Sequence, residues 1–392
     1  MSKANRPLGS FDAIDLYGVA RAHGQTSYTL SELAHLTGRA RSTVALRVDE
    51  LLESGLIAHL PDLQASRGRP SSRVSFSPAT WGTIAIDIGL AHNLVALLNL
   101  NGEIIAESTF AARMANGPEP VLDAAIQAAR ALLEAQANFR IAAIGIGLPL
   151  PVFHRDGRPF NASNLPNWDG FDVPAHVTRQ LEVPVLVDND ANLVALGEHA
   201  LRPEATEMIA VEASTGIGAG IISMGTLLRG AKGTAGAIGH IRVGRGDGVQ
   251  CICGNEGCLV AMASGPAIAG VLKAHQLEAE NVDDVIELAR NGDLLAIAAI
   301  RRAGNDIGEV LTTCISLFNP SLIAVGGRLV TAGDHLIAGI REVVYTRATP
   351  FATEGLSIVR SLEPVRAGLI GAGVMATEFA LGQENLRRLM TN

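Results

Sequence analysis

The sequence predicts an α/β protein: a small winged helical head followed by two α/β lobes that share one plan. Three observations predict it. The first 78 residues carry helix signals and two short strands. A strand-rich pattern opens at Trp81, and a similar one returns about 120 residues later. Glycine is abundant, at 42 of 392 residues, while aromatics make up only 4%, which suits tight turns between short apolar strands.

In the head, "TLSELAHLTG" places Thr29 three residues before Glu32, the spacing of a capping box. Leu30, Leu33, Ala34 and Leu36 form its apolar face, and Gly38 stops it. "RSTVALRVDELLESG" then puts Val44, Val48, Leu51 and Leu52 on one face and ends at Gly55. An earlier helix over about Phe11 to Ala22 completes a three-helix core. "LIAHL" and "SRVSF" read as strands flanking "PDLQASRGRP", a wing. Two short helices joined by a glycine-containing turn form the helix-turn-helix pattern, though an ordinary helical hairpin gives the same spacing. Arg39, Arg41, Ser42, Thr43 and Arg47 cluster at the start and exposed side of the second helix, where base edges and phosphates of double-stranded DNA would lie. Arg67 and Arg69 stand in a glycine-hinged "RGRP", suited to a minor groove or simply to a solvated linker.

Charge is unevenly placed. Through Pro78 there are nine Lys/Arg against seven Asp/Glu; the remainder carries 22 against 32, within an overall −8. A mildly basic head on an acidic body points a polyanion at the head only. No N-terminal stretch resembles a signal peptide, and the apolar run "IAAIGIGLPLPVF" holds two prolines and falls short of a membrane span. The chain reads as soluble and cytoplasmic, with no membrane partner.

From Trp81, "GTIAIDIG", "LVALLNL" and "EIIAES" predict three strands, followed by a helix near Glu119 to Gln136 and the strand "IAAIGIG". "EMIAVEASTGIGAGIISMGTLLRG" repeats the strand–turn–strand series, with helices near Asp293 to Ser316 and a strand "LIAVGG". The expected division is a head over 1–78, a first lobe over 79–197 and a second over 198–375. A last helix, from about Ala367 and covering about 376–392, returns to the first lobe. A cleft between duplicated lobes is a natural ligand seat.

Three of the four cysteines fall in "CICGNEGC", eleven residues or more after His240. Structural disulfides are disfavoured in a cytoplasmic chain, and Cys251 and Cys253 are too close in sequence to pair. Thiolates with a nearby imidazole suit tetrahedral Zn²⁺, so His240, Cys251, Cys253 and Cys258 predict a closed structural zinc site. Cys314 falls in an apolar helical pattern and reads as core.

These pieces together resemble the ROK family (repressor, open reading frame, kinase), and within it the transcriptional repressor branch. The carriers are "LSELAHLTGRARSTVALRVDELLESGLI" with "GRP", then "NLPNW", "VPVLVDNDANLVALGE", "STGIGAG", "AGAIGH" and "CICGNEGCL". The resemblance implies a winged helix-turn-helix joined to a two-lobed, actin-like (ribonuclease H-like, sugar-kinase type) domain. It also implies a homodimer or homotetramer reading an inverted-repeat operator, and a sugar or sugar-derived effector in the cleft. The implied zinc ligands match His240, Cys251, Cys253 and Cys258. The implied effector contacts fall on Asn164, Asn189, Asp190 and His240, with Asp190 at the position of the kinases' catalytic base.

Departures from the family's pattern argue against catalysis. Where active members resemble one another in D-x-G-G-T-K, this chain has "DIGLAH": Leu90 replaces a glycine, Ala91 the threonine and His92 the lysine. Leucine fills space a phosphate needs, and the hydroxyl and ammonium are gone. Asp190 then reads as a hydrogen-bond acceptor, a vestigial base or a helix cap. Ala237 and Val260 stand where sugar-binding glutamates are common. Each such charged acceptor contributes roughly 1.5–3 kcal/mol, so losing both weakens an ordinary hexose by about 10²–10⁴. The expected effector is therefore less hydroxylated, differently substituted or anionic, unless ligand response is lost altogether. Ala40 replaces a serine that commonly caps the recognition helix. The rival expectation is an ATP-dependent sugar kinase with an appended DNA-binding head.

Overall fold

The computed structural model describes residues 11–60, 73–76, 80–90, 92–136, 138–162 and 165–391. The head begins with α1 (Ala13–Ala22), β1 (Ser27–Thr29), α2 (Leu30–Thr37) and α3 (Arg41–Glu53). Thr29 and Glu32 make both bonds of the capping box, and Gly38 closes α2 in a left-handed conformation at φ +64°. β2 (Ala58–His59) and β3 (Arg73–Ser75) complete a three-stranded sheet in the order β1-β3-β2. Leu16, Tyr17, Tyr28, Leu33, Val44, Leu51 and Phe76 fill the core of this winged helical unit. The segment expected to form the wing, with Arg67 and Arg69, lies outside the described residues.

The first lobe contains β4 (Trp81–Ile88), β5 (Asn93–Asn99), β6 (Ile104–Thr109), α4 (Pro118–Glu134) and β7 (Arg140–Leu148). The small hairpin β8 (Val152–Phe153) and β9 (Arg158–Pro159), then α5 (Val173–Leu181), β10 (Val185–Asn189) and α6 (Asp190–Leu201), follow. Its sheet runs β10-β7-β4-β5-β6, with β4, β7 and β10 parallel and β4, β5 and β6 antiparallel.

The second lobe repeats the plan. It holds β11 (Met208–Ala213), β12 (Ile217–Ser223), β13 (Thr226–Leu227), α7 (Leu259–Ala263), α8 (Gly265–Ala274), α9 (Val282–Arg290) and α10 (Leu294–Phe318). β14 (Leu322–Gly326), α11 (His335–Arg347), α12 (Pro350–Thr353) and β15 (Ser357–Arg360) follow. The order β13-β12-β11-β14-β15, with β11, β14 and β15 parallel and β11, β12 and β13 antiparallel, is the first sheet over again. The duplication expected from the strand spacing is therefore present in the topology.

Two helices fill the layer between the sheets. α6 packs on β11 and β12, while α13 (Ala367–Ala380) packs on β4 and β7. They cross at Gly197 and Gly371, where a Cβ would fall about 2 Å from the carbonyl oxygens of Ala367 and Leu193. Only glycine permits that backbone approach.

The C-terminus carries two helices in place of the single last helix expected from about Ala367 to 392. α13 starts at Ala367 and already belongs to the first lobe's sheet, so a second lobe reaching 375 is too long. α14 (Gln383–Thr391) is separate, and its Leu386 and Leu389 join the head's core rather than the lobe's sheet. The head is thereby fused to the lobes by one apolar cluster that includes Ala142, Ala143, Ala376 and Ala380. Trp81 adds to this by donating through Nε1 to the Ser54 carbonyl at 3.0 Å. No helix among the described residues is long and apolar enough to cross a membrane.

Candidate functional site

A cavity of about 300 Å³ opens between the lobes at the ends of the central strands. The turn after β4 brings Gly89 and Leu90, the end of β10 brings Asn189 and Asp190, and the β11–β12 turn brings Thr215, Gly216 and Gly218. His240, Ala237 and Val260 form the remaining wall. Of the expected effector contacts, Asn189, Asp190 and His240 meet in this one cavity, while Asn164 lies outside the described residues. Leu90 stands half exposed in the cavity, on the turn where a phosphate would need open backbone.

The charges around the cavity are unusual. Asn189 Nδ2 and the Ala191 amide each donate to Asp190 Oδ1 at 2.8 Å. Burial, opposed by those bonds and reinforced by Asp87, raises the Asp190 carboxyl to about 7. Glu212, on β11, also faces the cavity; burial first, then Asp190 and Asp87, pushes its carboxyl well above the usual range. Asp87 lies 3.6 Å from His92 Nε2. His92 is thus held beside Asp87.

The four residues expected to hold zinc come together in the structure as a set that could bind a metal. The ligand atoms of His240, Cys251, Cys253 and Cys258 all lie within 4.8 Å of one another. Cys253 Sγ is 3.6 Å from Cys258 Sγ, and Cys251 Sγ is 3.7 Å from His240 Nδ1. A tetrahedron with metal–sulfur bonds of about 2.3 Å has edges of about 3.8 Å, so the spacing and the soft donors both fit Zn²⁺. Burial and the neighbouring thiols push Cys258 up to about 12, which a bound cation would reverse. Ile252 of this loop and Val260, on α7 directly after Cys258, both line the cavity, so the cluster braces one cleft wall.

In the head, Arg39, Arg41 and Ser42 are exposed at the start of α3, with Thr43 partly so. Ala40 caps α3 without a side-chain bond, as its identity implies. Arg47 is differently occupied: its Nε donates to the Phe11 carbonyl at 3.1 Å and it pairs with Glu50. Arg39 lies over the Phe11 ring, 5.3 Å from its centroid.

Sequence reasoning missed Glu212 and a second polar group, Asp188 with Arg229 and His154. Asp188 is fully buried; Arg229 Nε donates to it at 2.7 Å and Asn192 Nδ2 at 2.8 Å, while His154 Nδ1 lies 3.5 Å away. The available signal for Glu212 was a lone acid inside the apolar strand "MIAVEA". The expectation of an anionic effector does not fit a cavity that Asp190 and Glu212 both face.

Two sheets of identical strand order around a ligand cleft, with a winged helical head, define a two-lobed, ribonuclease H-like protein of the sugar-kinase and repressor type. Residues 83–378 match the family model of the ROK family, and the chain belongs to that family. It is 28% identical over 355 residues to the xylose repressor of Bacillus spizizenii, covering 90% of this chain and 91% of that protein. A ROK family transcriptional regulator described as a homolog of E. coli MLC superposes with a TM-score of 0.78 at 24% identity, covering 97% and 98% of the two chains. The ROK family glucokinase from Streptomyces griseus, solved with glucose and AMPPNP, gives a TM-score of 0.66 at 28% identity, over 76% of this chain and 99% of that one.

Proposed function

We propose that this protein is a DNA-binding transcriptional regulator, a repressor of carbohydrate-related genes, whose interlobe cleft receives a sugar-derived effector. The observation that carries this is the shared core. The winged head packs on α14, α14 follows α13, and α13 lies on the sheet that presents the cleft. A change in lobe closure therefore has a packed route to the head, which couples effector and DNA sites. Arg39, Arg41, Ser42 and Thr43 are the proposed DNA contacts on α3, with Arg47 bracing the helix through Phe11. Arg67 and Arg69 are proposed for the minor groove on the sequence argument alone. Two heads of a homodimer, or of a homotetramer, would read an inverted repeat.

Kinase activity is not part of this reading. Leu90 stands on the turn expected to meet a phosphate and His92 lies beside Asp87, which argues against a nucleotide seat in the cleft. Asp190 accepts hydrogen bonds there rather than activating a hydroxyl. His240, Cys251, Cys253 and Cys258 would hold a structural Zn²⁺ that cross-links the loop carrying Ile252 to the rest of the second lobe. The competing reading, a sugar kinase with an added head, draws on the retained Asp190.

Selection of bound fragments from a random duplex library, followed by anisotropy titrations, tests the regulator reading. Arg41→Ala should weaken the selected duplex by about 1–3 kcal/mol and relax base preference at one position. Failure to enrich any duplex, together with sugar-dependent ADP release, would establish the kinase instead.

A further inference from the structure

The cavity is acidic on one side and apolar on the other. Asp190, at the start of α6, and Glu212, on β11, approach it from the two lobes. Among the described residues lining it there is no lysine or arginine; Glu212 also lines a smaller pocket beside His92 and Arg328. Leu90, Ala237, Ile252 and Val260 supply the apolar remainder. A carboxylate buried in such a place is costly unless a positive group meets it, and a like-charged ligand adds to that cost.

We infer that the effector carries an amine: a sugar-sized polyol whose ammonium group sits between Asp190 and Glu212, and not a phosphorylated or acidic sugar. This rests on the reading of the cleft as an effector pocket. The raised carboxyls of Asp190 and Glu212 accord with it, because an ammonium restores both to their charged form while making charge-assisted hydrogen bonds. A divalent cation is the other species that acids attract. Among the described residues, however, only the cysteine–histidine set brings three or more ligand atoms within 4.8 Å of one another. An amine on a sugar ring can meet two acids through separate N–H bonds, without the three or more ligand atoms gathered around one point that a divalent cation requires. Glu212 is then the residue that sets effector specificity.

The test uses the full chain at neutral pH, by calorimetry and thermal shift. The probes are glucosamine, galactosamine and mannosamine, each beside its neutral hexose and its N-acetyl derivative, with glucose 6-phosphate and Mg²⁺ alone as further arms. At least one free-amine sugar should bind about 10- to 100-fold more tightly than both its partners. Glu212→Gln should erase that preference while leaving weak binding of the neutral sugar, and Asp190→Asn should reduce it should the first variant fold poorly. Equal or tighter binding of neutral, acetylated or phosphorylated sugars would overturn the inference, as would stabilisation by Mg²⁺ alone or no response to any amine. Duplex binding by the ligand-free protein is measured in the same preparation. Its loss sinks the regulator reading, whereas intact duplex binding without amine preference sinks only the effector assignment.

Discussion

Arg229, in the second lobe, donates through Nε to the Asp188 carboxylate of the first lobe at 2.7 Å, and that carboxylate is wholly buried. The bond therefore ties the lobes together beside the cleft mouth, where Gly233 of the second lobe closes against the Val152 carbonyl of the first. A buried charge that loses its partner typically costs about 3–5 kcal/mol. Here Asn192 and the Asn189 amide still donate to Asp188, and Arg229 is partly exposed. Arg229→Ala should therefore destabilise by about 2–3 kcal/mol in denaturant melts. The double change Arg229→Met with Asp188→Asn should recover much of the loss. A loss below ~0.5 kcal/mol for the single variant would show that the bond does not hold the lobes.

The contact between α14 and the head predicts a different defect. Leu386 and Leu389 are each about 3% exposed within the head's cluster, and Arg387 lies 3.7 Å from Asp12, the cap of α1. Leu386→Ala should cost about 2–3 kcal/mol at that junction. Amide exchange in α1 should accelerate, while the sheets of both lobes keep their protection. Uniform loosening of all three parts would instead mean that α14 supports the lobes.

Much of this architecture is legible in the sequence because its signals are local. The Thr29–Glu32 pair states the start of α2, and the repeated strand–turn series states both sheets. The cysteine cluster is equally local, with three ligands within eight positions. What escaped depends on distant partners. Asp188 and Arg229 are 41 residues apart and share no pattern. Glu212 is paired in register with Gly218 on one side and Gly326 on the other, and nothing short of the folded sheet shows that this leaves its side chain facing the cavity. "QENLRRLMT" is polar enough to pass for a tail, and becomes a docked helix only because the head offers Leu386 and Leu389 a core.

The cysteine–histidine cluster makes a prediction that separates a structural role for a bound metal from ligand response. Cys253→Ala, or prolonged chelation, should remove one equivalent of zinc as measured by elemental analysis. The second lobe should lose about 3 kcal/mol or more, lowering the Tm by about 6–12 °C. Because Ile252, inside the cysteine loop, and Val260, on α7 just after it, line the cavity, effector affinity should fall as well, while duplex binding near room temperature persists. A metal-free variant with an unchanged melting curve would refute the structural assignment.

The Asp190 carboxyl gives the protein a pH dependence of definite sign. An unfolded aspartate titrates near about 4, whereas in the folded cleft burial and Asp87 raise Asp190 to about 7. Between those values the folded state binds the proton more tightly, so stability falls as pH rises from about 4 through about 7 and levels off above. Glu212, raised for the same reason, adds a contribution of the same sign. Asp190→Asn keeps an oxygen for the Asn189 and Ala191 donors but carries no charge. Its Tm should match the wild type near pH 4 and exceed it increasingly up to about pH 7, with a plateau beyond. Saturating amine-bearing ligand should flatten the wild-type curve over the same window, because the ammonium replaces the proton as the partner of the carboxylate. A difference between variant and wild type that stays constant across this range would show that Asp190 ionises as freely in the cleft as in water.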